Sequence, residues 1–194
     1  MNRKPLKNNS GSMRLLMLLA CCWMSGVSLA DEPTTGFIRQ VVEYQVPNLT
    51  VIRHDGVKSA FDKQINDGRP VVLSFIFASC SAICPMLSHT LMKVQDNLDK
   101  RNQKAHLVSV TIDPETDTPS ILSEYAKKFA AGPNWDFYTC SRDVSIGLQK
   151  AFNVFRGDKM NHASVILIRL KPGAPWIRLE GFFNSETVLD ELKV

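Results

Sequence analysis

The stretch Pro70-Val-Val-Leu-Ser-Phe-Ile-Phe-Ala-Ser-Cys-Ser-Ala-Ile-Cys-Pro85 decides the architecture. Val71–Phe77 is almost continuously apolar. A strand with one wet face would alternate, so this run predicts a strand covered on both faces, the central strand of an α/β sheet. Cys80 and Cys84 follow at its carboxyl end, where connecting loops open and ligands bind in sheets of this class. Pro85 suits the first turn of a helix, where its missing N–H costs little. Leu87, Leu91, Val94 and Leu98 then recur at spacings of four, three and four, with Lys93, Asp96 and Lys100 off the stripe. That is the period of an amphipathic helix.

Downstream the two element types keep alternating. Leu107–Ile112 reads as a strand and Ser120–Ala131 as a helix with Ile121, Leu122, Tyr125 and Phe129 inward, stopped by Gly132-Pro133. Trp135–Thr139 is a short strand, and Asp143–Phe152 a helix with Asp143 as its N-cap. Ser164–Leu170 and Trp176–Glu180 flank Lys171-Pro-Gly173 as an antiparallel hairpin, and Ser185 caps a last helix. Upstream, Asn48–Ile52 and Val57–Phe61 form a β-hairpin about Arg53-His-Asp-Gly56, because Asp-Gly tolerates a tight turn. Residues 31–47 show no periodicity and read as a lead-in. The order predicts an α/β domain over 48–194, with an N-terminal β-hairpin and a central sheet flanked by helices.

Composition is that of an ordinary globular chain: 194 residues, 44% hydrophobic, 22% charged, with 10 Gly and 10 Pro. Disordered, collagenous and multi-span membrane classes are excluded. The formal charge of +4 comes from Arg3, Lys4, Lys7 and Arg14; without these four, 19 basic residues face 19 acidic ones. A nucleic-acid partner, which needs clustered excess cations, is not indicated. The four cations precede an apolar run from Leu15 to Leu29, with small Ser28 and Ala30 before Asp31-Glu32. This is the pattern of a secretory signal peptide over residues 1–30, cut after Ala30. An uncleaved tether or a lipid-bearing Cys21 are the alternatives. The folded part is therefore expected in the periplasm, with Cys21 and Cys22 belonging to the export signal.

Cys80, Cys84 and Cys140 remain, an odd number in an oxidising compartment. If the helix begins near Cys80, a spacing of four puts both sulfurs on one helical face, and the helix amino end favours anionic sulfur. Such a pair can hold a soft ion such as Cu(I), exchange disulfides, or form an inert bridge. Zinc is disfavoured, because a structural site needs four ligands and no second cysteine pair exists. A soft-metal site needs a further donor. His54 falls in a surface turn, His89 off the apolar stripe, and His106 at a strand start without evident partner; His162 immediately precedes the strand Ser164–Leu170. Asp113 and Asp117 suit turn and cap work after a strand, with a supporting role near a metal as the alternative.

Strand–CxxxCP–helix, then Asp113-Pro-Glu-Thr-Asp-Thr-Pro119, then Asn161-His162 before the final hairpin, resembles the Sco/SenC family over about residues 45–192. The resemblance implies a thioredoxin-like fold, copper held by Cys80, Cys84 and His162, and a part in assembling the binuclear copper site of cytochrome c oxidase. Thioredoxins carry a cis-proline ahead of the penultimate strand; here no proline occurs between Gly157 and Lys171, and His162 takes that place. Many relatives have Asp before the histidine, where this chain has Asn161. Cys140 reads as a buried thiol, with a third redox partner as the alternative. The leading expectation is a monomeric metallochaperone. It would carry Cu(I), with Cu(II) left open, to the apo-site of a respiratory oxidase or a nitrous oxide reductase, after reduction by a periplasmic thiol reductant. The rival is a thiol–disulfide oxidoreductase in which Cys80 and Cys84 are the redox pair and His162 is dispensable.

Overall fold

A computed structural model describes Met1 and residues 36–193. The expected leader, its cleavage after Ala30, and Cys21 and Cys22 lie outside the described residues. No helix among the described residues is long and apolar enough to cross a membrane.

The central strand β4 (Val71–Ile76) is buried at every position. Its Val72 and Ile76 face one apolar core, while Val71, Leu73 and Phe75 face another. Both faces are therefore dry, as the unbroken apolar run requires. Strand β5 (His106–Thr111) runs parallel beside β4, and β6 (Trp135–Thr139) parallel beside β5. On the other side of β4, β7 (Val165–Arg169) runs antiparallel, with Ser74 opposite Ile166. The start of β7 thus lies at the carboxyl end of β4, and this register brings a residue just before β7 next to the loop just after β4. Strand β8 (Trp176–Gly181) completes the predicted hairpin. The upstream hairpin consists of β2 (Thr50–Arg53) and β3 (Lys58–Ala60), with β2 also paired to β6.

Helices α2 (Ile83–Lys100), α3 (Pro119–Lys128) and α5 (Ser185–Leu192) cover one face. The short α1 (Phe61–Ile65) and α4 (Arg142–Ala151) cover the other. On α2 the stripe Leu87, Leu91, Val94 and Leu98 is inward, as its spacing predicts.

Several local readings are corrected. The lead-in holds a strand, β1 (Phe37–Val42), antiparallel to β8 at the edge of an eight-stranded sheet ordered β1-β8-β7-β4-β5-β6-β2-β3. It lacks an inward face, since only its two end residues are half-buried, so no period-2 pattern announces it. Its docking depends on Gly181, whose φ is +118° and where a Cβ would fall 2.3 Å from the Gly36 carbonyl oxygen. Phe61 starts α1 rather than ending a strand. Ser141, not Asp143, caps α4 by accepting from the Val144 N–H, and Asn184, not Ser185, caps α5 by accepting from Thr187 N–H. Ile121 is exposed at 39%, and α3 ends at Lys128, before Ala130 at φ 50° and ahead of Gly132.

Candidate metal centre

Helix α2 begins at Ile83, so Cys80 lies in the turn ahead of it and only Cys84 is helical. The two sulfurs do not share a helix face. Instead the Cys80 sulfur sits under the helix start and accepts the Cys84 N–H at 3.4 Å, taking one of the donors that a helix leaves unpaired at its first turn. Cys80 is half-buried and Cys84 buried, and both thiols are free. Their environments push them apart. Burial raises the Cys80 thiol, but the Cys84, Ala82 and Ile83 N–H groups and the Cys84 thiol pull harder, leaving it below its ordinary value. Burial dominates at Cys84 and pushes its thiol well up.

His162 arrives from the opposite chain direction, at the end of a 3₁₀ turn over Lys159–Asn161 just before β7. Its Nδ1 lies 2.8 Å from the Lys159 carbonyl oxygen. A carbonyl can only accept, so Nδ1 carries the proton and Nε2 presents its lone pair. Nε2 is 3.2 Å from the Cys84 sulfur and 4.0 Å from that of Cys80. One ligand atom from each of the three residues lies within 4.8 Å of the others. Phe77, the last apolar residue of the central run, backs the imidazole with ring centres 5.0 Å apart. A cavity of about 210 Å³ is lined by Phe77, Cys80, Ile83, Met160 and His162. One of about 480 Å³ is lined by Ile112, Gln149, Arg156 and His162 among others.

Two soft sulfurs and one imidazole suit a soft monovalent ion in a low-coordinate site. They fall short of the four ligands of a structural zinc site. The remaining histidines are elsewhere. His89 is exposed against Phe129. His54, expected to be solvated, is half-buried with Nδ1 accepting the Phe137 N–H at 3.3 Å. His106, for which no partner was expected, is buried and meets Asp136 at 2.9 Å. Cys140 is buried, and desolvation pushes its thiol up to about 12.

The acidic run does more than turn and cap work. Thr118 caps α3 by accepting from Ile121 N–H, with Pro119 in the first turn. Asp117, however, is fully buried, and its Oδ2 accepts from the Ala78 N–H at 3.0 Å and the Thr111 hydroxyl at 2.5 Å. It ties the cysteine-bearing loop to the end of β5. Asp113 pairs with Lys159 at 2.6 Å. Lys159 is the residue that sequence reasoning missed, because a lysine in a polar loop carries no signal beyond solvation. Asn161 is exposed, and His162 Nδ1–H donates to the Lys159 main-chain carbonyl instead.

The SCO1/SenC family profile matches residues 46–190. The chain belongs to the SCO1/SenC family. A SCO1 protein homolog of Bacillus subtilis is 29% identical over 137 residues, 70% of this chain and 64% of that protein. The match thus spans less than two thirds of that relative's length. The fold is that of solved Sco structures, with a thioredoxin-like central sheet flanked by helices. BsSco, described as a member of the Sco family of cytochrome c oxidase assembly proteins, superposes with a TM-score of 0.68 at 24% identity, covering 80% of this chain and 95% of the other. Yeast Sco1, solved with copper bound, gives 0.65 at 18% identity, covering 78% and 87%.

Proposed function

We propose that this Sco-family chain is a periplasmic copper metallochaperone. Cu(I) is its cargo, held by Cys80, Cys84 and His162 and passed by ligand exchange to the apo-site of a respiratory enzyme, a cytochrome c oxidase or a nitrous oxide reductase. The observation that carries the reading is the Nε2 lone pair of His162 at 3.2 Å from the Cys84 sulfur, with the Cys80 sulfur beside it. An oxidoreductase needs no imidazole aimed at its sulfurs; a soft three-donor site does. The copper-bound yeast relative and the assembly role ascribed to BsSco's family support the same reading. Half-exposure of Cys80 and His162 leaves a face from which acceptor thiolates displace the donors one at a time. The domain works as a monomer, reloaded after a thiol reductant opens any Cys80–Cys84 bridge.

The rival activity, reduction of an acceptor's cysteines, draws on one observation: a half-exposed, lowered thiol beside a buried, raised one is an attacking and resolving pair. Anaerobic Cu(I) titration of the protein and of His162→Ala, with free thiols counted in parallel, separates the two. The metallochaperone reading expects one Cu(I) per reduced protein and weakened binding in His162→Ala. Disulfide exchange that survives the substitution with copper binding unchanged would favour the reductase.

A further inference from the structure

We propose that Asp113 and Lys159 form a clamp that positions His162, the residue at which copper retention is decided; the proposal rests on the copper reading above. Lys159 acts on the imidazole once directly, through its main chain, and once indirectly, through Phe77. Its carbonyl oxygen accepts from the Nδ1–H at 2.8 Å and so fixes the tautomer that leaves Nε2 free. Its ammonium, in turn, is held by the Asp113 carboxylate at 2.6 Å and lies 5.5 Å over the ring of Phe77, the ring against which His162 packs. The Asp113 side chain is only 11% exposed, so the anchor end is fixed, whereas that of Lys159 is 40% exposed. Asp113 is fixed in turn, since its N–H donates to the Thr111 hydroxyl, which donates to Asp117. The end of β5 therefore holds both halves of the site, the cysteine loop through Asp117 and Ala78 and the histidine turn through Asp113 and Lys159.

A partly exposed ion pair contributes little to global stability. Its effect is local. A histidine ligand whose other nitrogen is oriented by a fixed partner binds metal about 10–100-fold better than one left to rotate. Here the orienting partner is a main-chain carbonyl on a short turn, and a carbonyl orients only as well as its turn is held. Opening the pair frees the turn and lets His162 depart first, leaving copper on two sulfurs and open to an acceptor. Asp113 and Lys159 are thus positioning residues that touch the metal only through His162.

The test uses Asp113→Asn, Lys159→Met, Lys159→Arg, His162→Ala and the double variant Asp113→Asn/His162→Ala, each first checked for an unchanged melting profile. In the metal-free protein, ¹⁵N imidazole spectra assigned by loss in His162→Ala should show a single Nδ1–H tautomer in the wild type. They should show a tautomer mixture in Asp113→Asn and Lys159→Met, and near-wild-type spectra in Lys159→Arg. Competition with a Cu(I) chelator should show about tenfold weaker binding in the first two variants and no further loss on adding Asp113→Asn to His162→Ala. If Asp113→Asn does not fold, Lys159→Met carries the same readings, because that side chain is partly exposed. Wild-type tautomer and affinity in both variants would overturn the clamp, and so would an equal affinity loss with and without His162. A wild type that takes no Cu(I) while the tautomer still responds would sink the copper reading and leave the clamp standing.

Discussion

Asp117→Ala is the sharpest perturbation of the scaffold beneath the site. The carboxylate is fully buried, and one oxygen takes two donors, the N–H of half-buried Ala78 and the buried Thr111 hydroxyl. Alanine strands both, and an unpaired donor costs about 1–3 kcal/mol, with the half-buried Ala78 N–H at the low end. Removing a buried carboxyl also removes its own desolvation penalty, which offsets part of that cost. A net loss of about 3 kcal/mol follows, or about 6–12 °C in Tm for a domain of this size. Asp117→Asn keeps an acceptor for both donors and costs about 1 kcal/mol, since its amide nitrogen takes the place of Oδ1, which has no partner. The pH dependence has a definite sign. Burial lifts the Asp117 carboxyl above its ordinary value, so the folded state holds this proton more tightly than the unfolded chain. Its contribution is full below the ordinary carboxylate range and declines as pH rises through and above it. Asp117→Asn lacks that decline. Urea denaturation of the metal-free protein between pH 4 and pH 8 measures both effects. Asp117→Ala within about 0.5 kcal/mol of wild type, the range of an ordinary surface substitution, would refute the assignment of this carboxylate as the strap on the cysteine loop.

Three further outcomes are expected. Iodoacetamide near neutral pH should modify Cys80 well before Cys84 or Cys140, because Cys80 is half-exposed with a lowered thiol while burial raises the other two; mapping by mass spectrometry checks the order, and equal rates would contradict it. Cys140→Ser should keep one Cu(I) per protein and cost about 1 kcal/mol for a buried hydroxyl, with lost copper binding in a folded variant counting against its exclusion from the site. Burial raises the Asp136 carboxyl, but His106 and Arg53 pull it further down, so its net value is lowered. Its contribution is full above the ordinary carboxylate value of about 3.9 and lost as pH falls through the folded one, so Asp136→Asn should show a flatter acid unfolding limb than wild type.

How much was legible follows from where the constraints act. Val71–Phe77 announced a doubly covered strand because burial on both faces leaves a mark on every residue, and the α2 stripe did so by its period. β1 left no mark, since an edge strand held by backbone pairing and by Gly181 requires no apolar face. The caps were misplaced by one or two residues because Ser141 and Asn184 stand beside equally good capping residues, and only backbone angles choose among neighbours. At the site, the three side chains that the structure brings together, Cys80, Cys84 and His162, were legible from residue type, topology and resemblance. Their supports were not: Asp117 meets Ala78 across 39 residues and Asp113 meets Lys159 across 46, and pairwise placement of that kind has no period to read.

The position of Cys80 outside the helix changes how the two states of the site are related. Two sulfurs four apart on a regular helix can bridge only by distorting its first turn, which would strain the disulfide and ease its reduction. With Cys80 ahead of α2 and its sulfur already under the Cys84 N–H, no helical turn has to unwind, so helix strain cannot be what returns the pair to the dithiol. Exclusivity then rests on chemistry alone. A bridge takes two electrons from the pair and leaves neither sulfur anionic, whereas Cu(I) needs both as thiolates. The oxidised protein keeps only His162, which by itself is a poor holder of a soft ion. Anaerobic titration should therefore show Cu(I) uptake with proton release from the reduced protein and none from the oxidised one until a thiol reductant is added. Equally tight binding by the oxidised form, with no thiol regenerated, would mean that the sulfurs are not the ligands.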